Sequence, residues 1–187
     1  MGIIRLYEIC PEAEKAGIEN ADVTGVTDNT AEVKQGSIFV CVKGARFDGH
    51  SAAAEMLSKG AVMIVTDHDI KCGKQLVADN TRLCLARLLN SFYGKPSEKL
   101  GLLAVTGTNG KTTTAHFVKH ILTTLGKKCG CVGTAGNDTC SGELKPSQHG
   151  TPTVPRATVL YSWLGEMVSN GADYCVMEAS SQALDQY

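Results

Sequence analysis

The sequence predicts an α/β fold with a mainly parallel sheet, on three observations. Short apolar runs alternate with helix-compatible stretches along the chain, the pattern of strands joined by crossover helices. The runs close at Gly or at polar turns, as strands and helices do. One run, Leu102-Leu103-Ala104-Val105, breaks into Thr106-Gly107-Thr108-Asn109-Gly110 and then Lys111-Thr112-Thr113, the order of a strand, a phosphate-holding loop and a helix.

Taken in order, Ser37–Lys43 reads as a buried strand closed by Gly44. Ser51 is placed to cap a helix over 52–59 that stops at Gly60. The next strand is 61–65, and from Thr81 the apolar residues Leu83, Leu85, Leu88, Leu89 and Phe92 fall at helical spacing up to Gly94. Gly94-Lys95-Pro96-Ser97-Glu98 combines a helix stop with a proline and reads as a linker. This divides the chain into a domain at 1–97 and part of a second at 98–187. Beyond it come the strand into the Gly-rich turn, a helix in full course from Ala115 to about Leu125 with Gly126 as its stop, and a short strand at 129–132. The polar stretch 135–155 suits a hairpin and a long loop. Ala157, Leu160, Tyr161, Leu164, Met167 and Val168 then share one helix face, and 174–177 is a strand ending in Glu178.

The bulk properties exclude several classes. The 187 residues are 43% hydrophobic and carry a net charge of −1, so neither a nucleic acid nor a membrane surface is an expected partner. No apolar run approaches bilayer length, and Met1-Gly2-Ile3-Ile4-Arg5 has no secretory signature. Of the eight cysteines, Cys41, Cys84 and Cys175 lie in apolar runs, and Cys129 and Cys131 are spaced for neither zinc nor a redox pair. The expectation is a reduced, cytoplasmic protein.

The chemistry centres on Gly107–Thr113. Glycines let backbone N–H groups approach phosphate oxygens, and the helix start adds partial positive charge. Lys111 is placed to reach the β/γ-phosphates and the Thr112 hydroxyl to ligate Mg²⁺. The common loop pattern has its first glycine where this chain has Val105. Glu178, an acid at a strand's carboxyl end, would come beside the same loop and hold the metal. His116, His120 and His149 read as solvated or structural.

Thr106–Thr114 together with Met177-Glu178-Ala179-Ser180-Ser181-Gln182-Ala183-Leu184 resembles the Mur ligases, and Val26-Thr27-Asp28-Asn29 and Gly36–Val40 resemble that family's N-terminal uridine-diphosphate module. The likeness extends over nearly the whole chain. It implies an ATP-dependent, ADP-forming amide ligase of peptidoglycan synthesis, most like the member that adds the third amino acid to UDP-N-acetylmuramoyl-L-alanyl-D-glutamate through an acyl phosphate. Its partners would be that dipeptide substrate, ATP with Mg²⁺, and an amino acid.

By position, the resemblance assigns ATP binding to Gly107, Thr108, Asn109, Gly110, Lys111, Thr112 and Thr113. It assigns metal binding to Thr112 and Glu178, and catalysis to Lys111 and Glu178. Substrate contacts fall on Thr27, Asn29, Ala45, Arg46, Phe47, Thr153, Val154, Ser180 and Gln186. The chain departs from the family pattern at Asn29-Thr30, where Ser-Arg is usual, at Val154 in place of a threonine, and at Gln182 in place of a histidine. The family has three domains, so the resemblance implies a sequence that holds the first and part of the second, inactive by itself. Two other readings stay open: a nucleotide- or UDP-sugar-binding module without turnover, and a relative with another substrate, such as a folate-polyglutamate or cyanophycin-type ligase.

Overall fold

The computed structural model describes residues 4–44, 47–145 and 154–186, with the side chains of residues 182, 185 and 186 excepted. They form two compact units, Met1–Phe92 and Tyr93–Tyr187.

The first unit opens with β1 (Ile4–Arg5), α1 (Leu6–Ile9), α2 (Glu12–Lys15) and β2 (Asp22–Val23). β1 and β2 pair antiparallel, tied by a 2.7 Å ion pair between Arg5 and Asp22. Then come β3 (Gly25–Thr27), β4 (Ser37–Val40), α3 (Ala53–Ser58), β5 (Met63–Thr66), β6 (Gln75–Val77) and α4 (Thr81–Phe92). The sheet runs β3-β4-β5-β6, all pairs parallel. Phe39 and Ile64 pack with Ala53 and Met56 of α3. The alternate residues Ile38, Val40, Met63 and Val65 are fully buried too. Both faces of β4 and β5 are therefore covered, which is why each reads as an unbroken apolar run rather than an alternating one. α4 packs on β3, β4 and β5 through Leu85, Leu88, Leu89 and Phe92, while Leu83 is exposed.

The start of α3 differs from expectation, while α4 begins at Thr81 as expected. A 3-10 turn, Gly49–Ala52, precedes α3, and its cap is Asp48, whose carboxylate accepts the His50 N–H. Ser51 instead donates its hydroxyl to the Asp48 carbonyl at 2.8 Å. α4 has Asn80 as its cap, accepting the Leu83 N–H at 2.9 Å.

The second unit comprises α5 (Pro96–Lys99), β7 (Gly101–Val105), α6 (Lys111–Thr124), β8 (Cys129–Val132), β9 (Asn137–Asp138), β10 (Leu144–Lys145), α7 (Ala157–Ser169), β11 (Tyr174–Glu178) and α8 (Ser181–Gln186). The stretch read as a linker thus contains a one-turn helix with Pro96 at its start, packed against α7. Sheet order is β10-β9-β8-β11-β7. β7, β11 and β8 run parallel, and β9 and β10 form the expected hairpin.

The helices lie on opposite faces of this sheet. Val176 packs with Cys129 and with Ala115 of α6; its neighbour Cys175 packs with Val132, Leu164 and Met167 of α7. Each fully buried side chain of this kind contributes about 1.5–3 kcal/mol. α6 begins at Lys111, four residues before Ala115. Its Phe117 and Ile121 and the capping residue Leu125, one turn apart, are 64%, 55% and 70% exposed.

All eight cysteines are free. Burial pushes Cys10, Cys41 and Cys175 up to about 12 and Cys129 to about 11, so these thiols are packing groups rather than nucleophiles. Cys84 is only half-buried. No helix among the described residues is long and apolar enough to cross a membrane.

Candidate functional site

The carboxyl ends of the parallel strands in the second unit carry the polar groups. β7 delivers the chain at Val105 to the turn 106–110, and β11 delivers Glu178 in register opposite Val105. The Ala179 N–H donates to the Val105 carbonyl at 2.8 Å, which fixes Glu178 beside the turn.

Gly110 stands immediately before α6 with φ 78°, a left-handed conformation that a Cβ would strain. No side chain caps this start, and the first turn holds no acid. The first N–H groups of α6 are therefore without an internal acceptor and sit at the positive end of the helix dipole. α4, whose start is filled by Asn80, shows the ordinary alternative. The α6 start is suited to an anion. Lys111 Nζ donates to the Gly107 carbonyl at 2.7 Å, drawing the loop together. An ammonium has three protons, so this bond leaves two for other acceptors. Thr108, Asn109 and Thr113 are exposed.

Glu178 is 2% exposed and fully engaged. Its Oε2 accepts the Thr112 hydroxyl at 3.0 Å and the Thr134 hydroxyl at 3.1 Å; its Oε1 accepts the Thr134 N–H at 2.8 Å. Thr112 and Glu178, 66 positions apart in sequence, are thus brought together at the head of α6. Thr134 was not singled out from the sequence, although it follows strand 129–132 at the same sheet end, and the strand-end rule that selected Glu178 applies to it equally. Gly133 matters for a steric reason: a Cβ there would lie 2.3 Å from Glu178 Oε1. The carboxylate and the two threonine hydroxyls make an all-oxygen donor set, which fits Mg²⁺.

Ser180 caps α8, its Oγ accepting the Ala183 N–H at 3.1 Å. Val154 is half-buried, and His116 and His120 are exposed. Thr153, Ala45, Arg46 and His149, and the side chains of Gln186 and Gln182, lie outside what is described.

In the first unit, Thr27 sits at the carboxyl end of β3 and is 5% exposed. Its Oγ1 donates to Glu32 Oε2 at 2.8 Å and accepts the Asn29 N–H at 3.0 Å. Asn29 Nδ2 donates to Glu32 Oε1 at 2.9 Å. Thr27 and Asn29 are therefore joined through Glu32, a residue the sequence reading passed over despite its i+3 spacing from Asn29 in a turn. Phe47 is 53% exposed. Thr27→Val keeps the shape but deletes both hydroxyl bonds. It should lower stability by about 1–3 kcal/mol, read as an earlier denaturation midpoint; an unchanged midpoint would mean the turn is held without this hydroxyl.

Comparison with known proteins places these features in context. Residues 105–187 match the Mur ligase middle domain, and residues 22–105 match the Mur ligase family catalytic domain. The chain is 38% identical over 169 residues to UDP-N-acetylmuramoyl-L-alanyl-D-glutamate–2,6-diaminopimelate ligase 2 of Clostridium acetobutylicum, a match spanning 88% of this chain and 35% of that protein. It is 40% identical over 172 residues to the corresponding diaminopimelate ligase of Bacillus cereus, spanning 89% and 33%. A solved structure of a UDP-N-acetylmuramoyl-L-alanyl-D-glutamate–2,6-diaminopimelate ligase superposes with a TM-score of 0.73 at 24% identity, covering 99% of this chain and 37% of the other. MurF ligase from Thermotoga maritima in complex with ADP gives 0.55 at 25% identity, covering 83% and 32%. The chain therefore spans about a third of the length of the curated relatives it matches.

Proposed function

Since the chain belongs to the Mur ligase family, we propose that it carries the substrate-binding and nucleotide-binding sites of an ADP-forming ligase. That ligase adds the third amino acid to UDP-N-acetylmuramoyl-L-alanyl-D-glutamate in the cytoplasm. The amino acid named for the relatives is 2,6-diaminopimelate, and it is the substrate expected here. The observation that carries this reading is the Thr112–Glu178 hydrogen bond at the uncapped head of α6. It joins the two segments that resemble the family's ATPase motifs.

In the proposed reaction the D-glutamyl carboxylate oxygen attacks the γ-phosphorus of ATP, the bond to the β-phosphate oxygen breaks, and ADP leaves. The amine of the incoming amino acid then attacks the acyl phosphate carbon, loses a proton and displaces inorganic phosphate. Catalysis of such transfers is mostly positioning and charge stabilisation. Lys111 would place its ammonium against the β/γ-oxygens, and the backbone of 107–113 with the α6 N-terminus would hold the phosphates. Thr112 and Glu178 would hold Mg²⁺, with Thr134 orienting the carboxylate; the ion supplies charge neutralisation on the phosphate oxygens when bound. Thr27, Asn29 and the turn at Ala45, Arg46 and Phe47 would receive the uridine end of the substrate. Thr153, Val154, Ser180 and Gln186 would face its peptide end.

Chemical-shift mapping of the isotopically labelled chain tests the assignment. ADP with Mg²⁺ should move amides at 107–113 and around Glu178, and UDP-N-acetylmuramoyl-dipeptide should move those around Thr27–Asn29. Absence of the second set at millimolar substrate would remove the first unit from substrate binding.

A further inference from the structure

A second cluster of ligating groups lies in the first unit, following in sequence the turn at 45–47 assigned to the uridine end, and none of its residues has a role in the ligase reading. His50 belongs to the 3-10 turn before α3, and Asp67 and His68 follow β5. The His50 side chain is 10% exposed, and its Nδ1 lies 2.6 Å from Asp48 Oδ1. A carboxylate at Nδ1 holds the neutral ring in the tautomer protonated there, which leaves a lone pair on Nε2. That Nε2 is buried without a hydrogen-bond partner.

What it faces is another electron-pair donor. Asp67 Oδ1 lies 3.2 Å from His50 Nε2, near but not hydrogen-bonded. The His68 ring stacks on His50 with centroids 4.9 Å apart, and its Nδ1 contacts the same Asp67 oxygen at 2.5 Å. Ligand atoms of His50, Asp67 and His68 all lie within 4.8 Å of one another. Asp67 thus takes a hydrogen bond from His68, while the unpartnered Nε2 of His50 faces the same carboxylate oxygen, a contact that a cation between them would make favourable.

We propose that His50 Nε2, His68 and Asp67 form a binding site for a borderline divalent transition-metal ion, best represented by Zn²⁺, with Asp48 as the outer partner that orients His50. Two imidazoles and one carboxylate are a nitrogen-rich set that suits Zn²⁺ and not Mg²⁺, so this site is chemically distinct from the oxygen set at Glu178. Three protein ligands leave a fourth position for water. Asp67 and His68 are 45% and 63% exposed on their side chains, which gives an ion access from solvent. The nearby thiol of Cys41 is held protonated, pushed up to about 12 by burial and by the charges of its neighbours, Asp48 and Asp67 among them. It adds no thiolate. Bound metal would pin the turn carrying His50 to the loop after β5.

The test is calorimetric titration of the purified chain with Zn²⁺ in excess Mg²⁺, paired with Co²⁺ absorption spectra. One site with micromolar or tighter affinity is expected, with visible d–d bands and no thiolate charge-transfer band. H68A, an exposed substitution that leaves the core alone, should weaken Zn²⁺ at least tenfold, as should H50Q. D48N should weaken it by about 10–100-fold, the usual effect of removing an outer carboxylate. Failure to bind Zn²⁺ at micromolar levels would overturn the proposal and leave the contacts of His50 with Asp48 and Asp67 as structural ones. Binding indifferent to H68A, or a thiolate band in the cobalt spectrum, would overturn it too.

Discussion

Lys111→Ala is expected to weaken ATP and ADP binding by about a hundredfold while leaving the fold intact. The lysine is the only cation in the Gly107–Thr113 loop. A charge-assisted hydrogen bond to a phosphate oxygen contributes roughly 1.5–3 kcal/mol, and each 1.4 kcal/mol is about tenfold in affinity. The cost to the protein itself is the bond from Nζ to the Gly107 carbonyl, in an exposed loop where water can replace it. Alanine also has the higher helix propensity at the start of α6. Calorimetry with ADP and far-ultraviolet circular dichroism together decide the matter. Unchanged affinity would mean that the uncapped head of α6 is not a phosphate cradle, and a lost helical signal would mean that Lys111 is structural.

Gly133→Ala should damage the metal end of the same site. The added Cβ would lie 2.3 Å from Glu178 Oε1 and 2.9 Å from Cδ. An exposed glutamate would swing away at little cost. This one is buried and held by Thr112 and by two groups of Thr134, so moving it breaks those bonds. Overpacking of this kind costs about 1–3 kcal/mol, and the displaced carboxylate should reduce the Mg²⁺ dependence of ADP binding about tenfold. Gly25→Ala is the control: its Cβ would meet nothing within 4 Å, so the denaturation midpoint should hardly change. Equal effects of the two substitutions would show that the close approach to Glu178 is not what requires glycine at 133.

The elements with a long hydrophobic period were legible in the sequence. α4 and α7 repeat their apolar residues over three turns, and β4, β5 and β11 are apolar runs closed by turn residues. β1, α1, α2, β2, β6 and α5 were not legible, because two to four residues contain no full period. The start of α6 was placed late because Thr112, Thr113 and Thr114 disfavour helix on their own. In the fold Ala115 is fully buried beneath the sheet and Thr112 bonds to Glu178, and these contacts outweigh the local preference.

The sequence by itself determined the α/β class, the Gly-Lys-Thr turn between strand and helix, and the presence of an acid at the end of β11. Each depends on neighbours within a few residues, through periodicity, glycine conformation and helix capping. Tertiary structure alone decided that Glu178 meets Thr112 and Thr134, that Gly133 must be glycine, and that His50 faces Asp67 and His68. Strand register and parallel crossovers bring those groups together from 17 to 66 positions apart, and no local pattern encodes such a meeting.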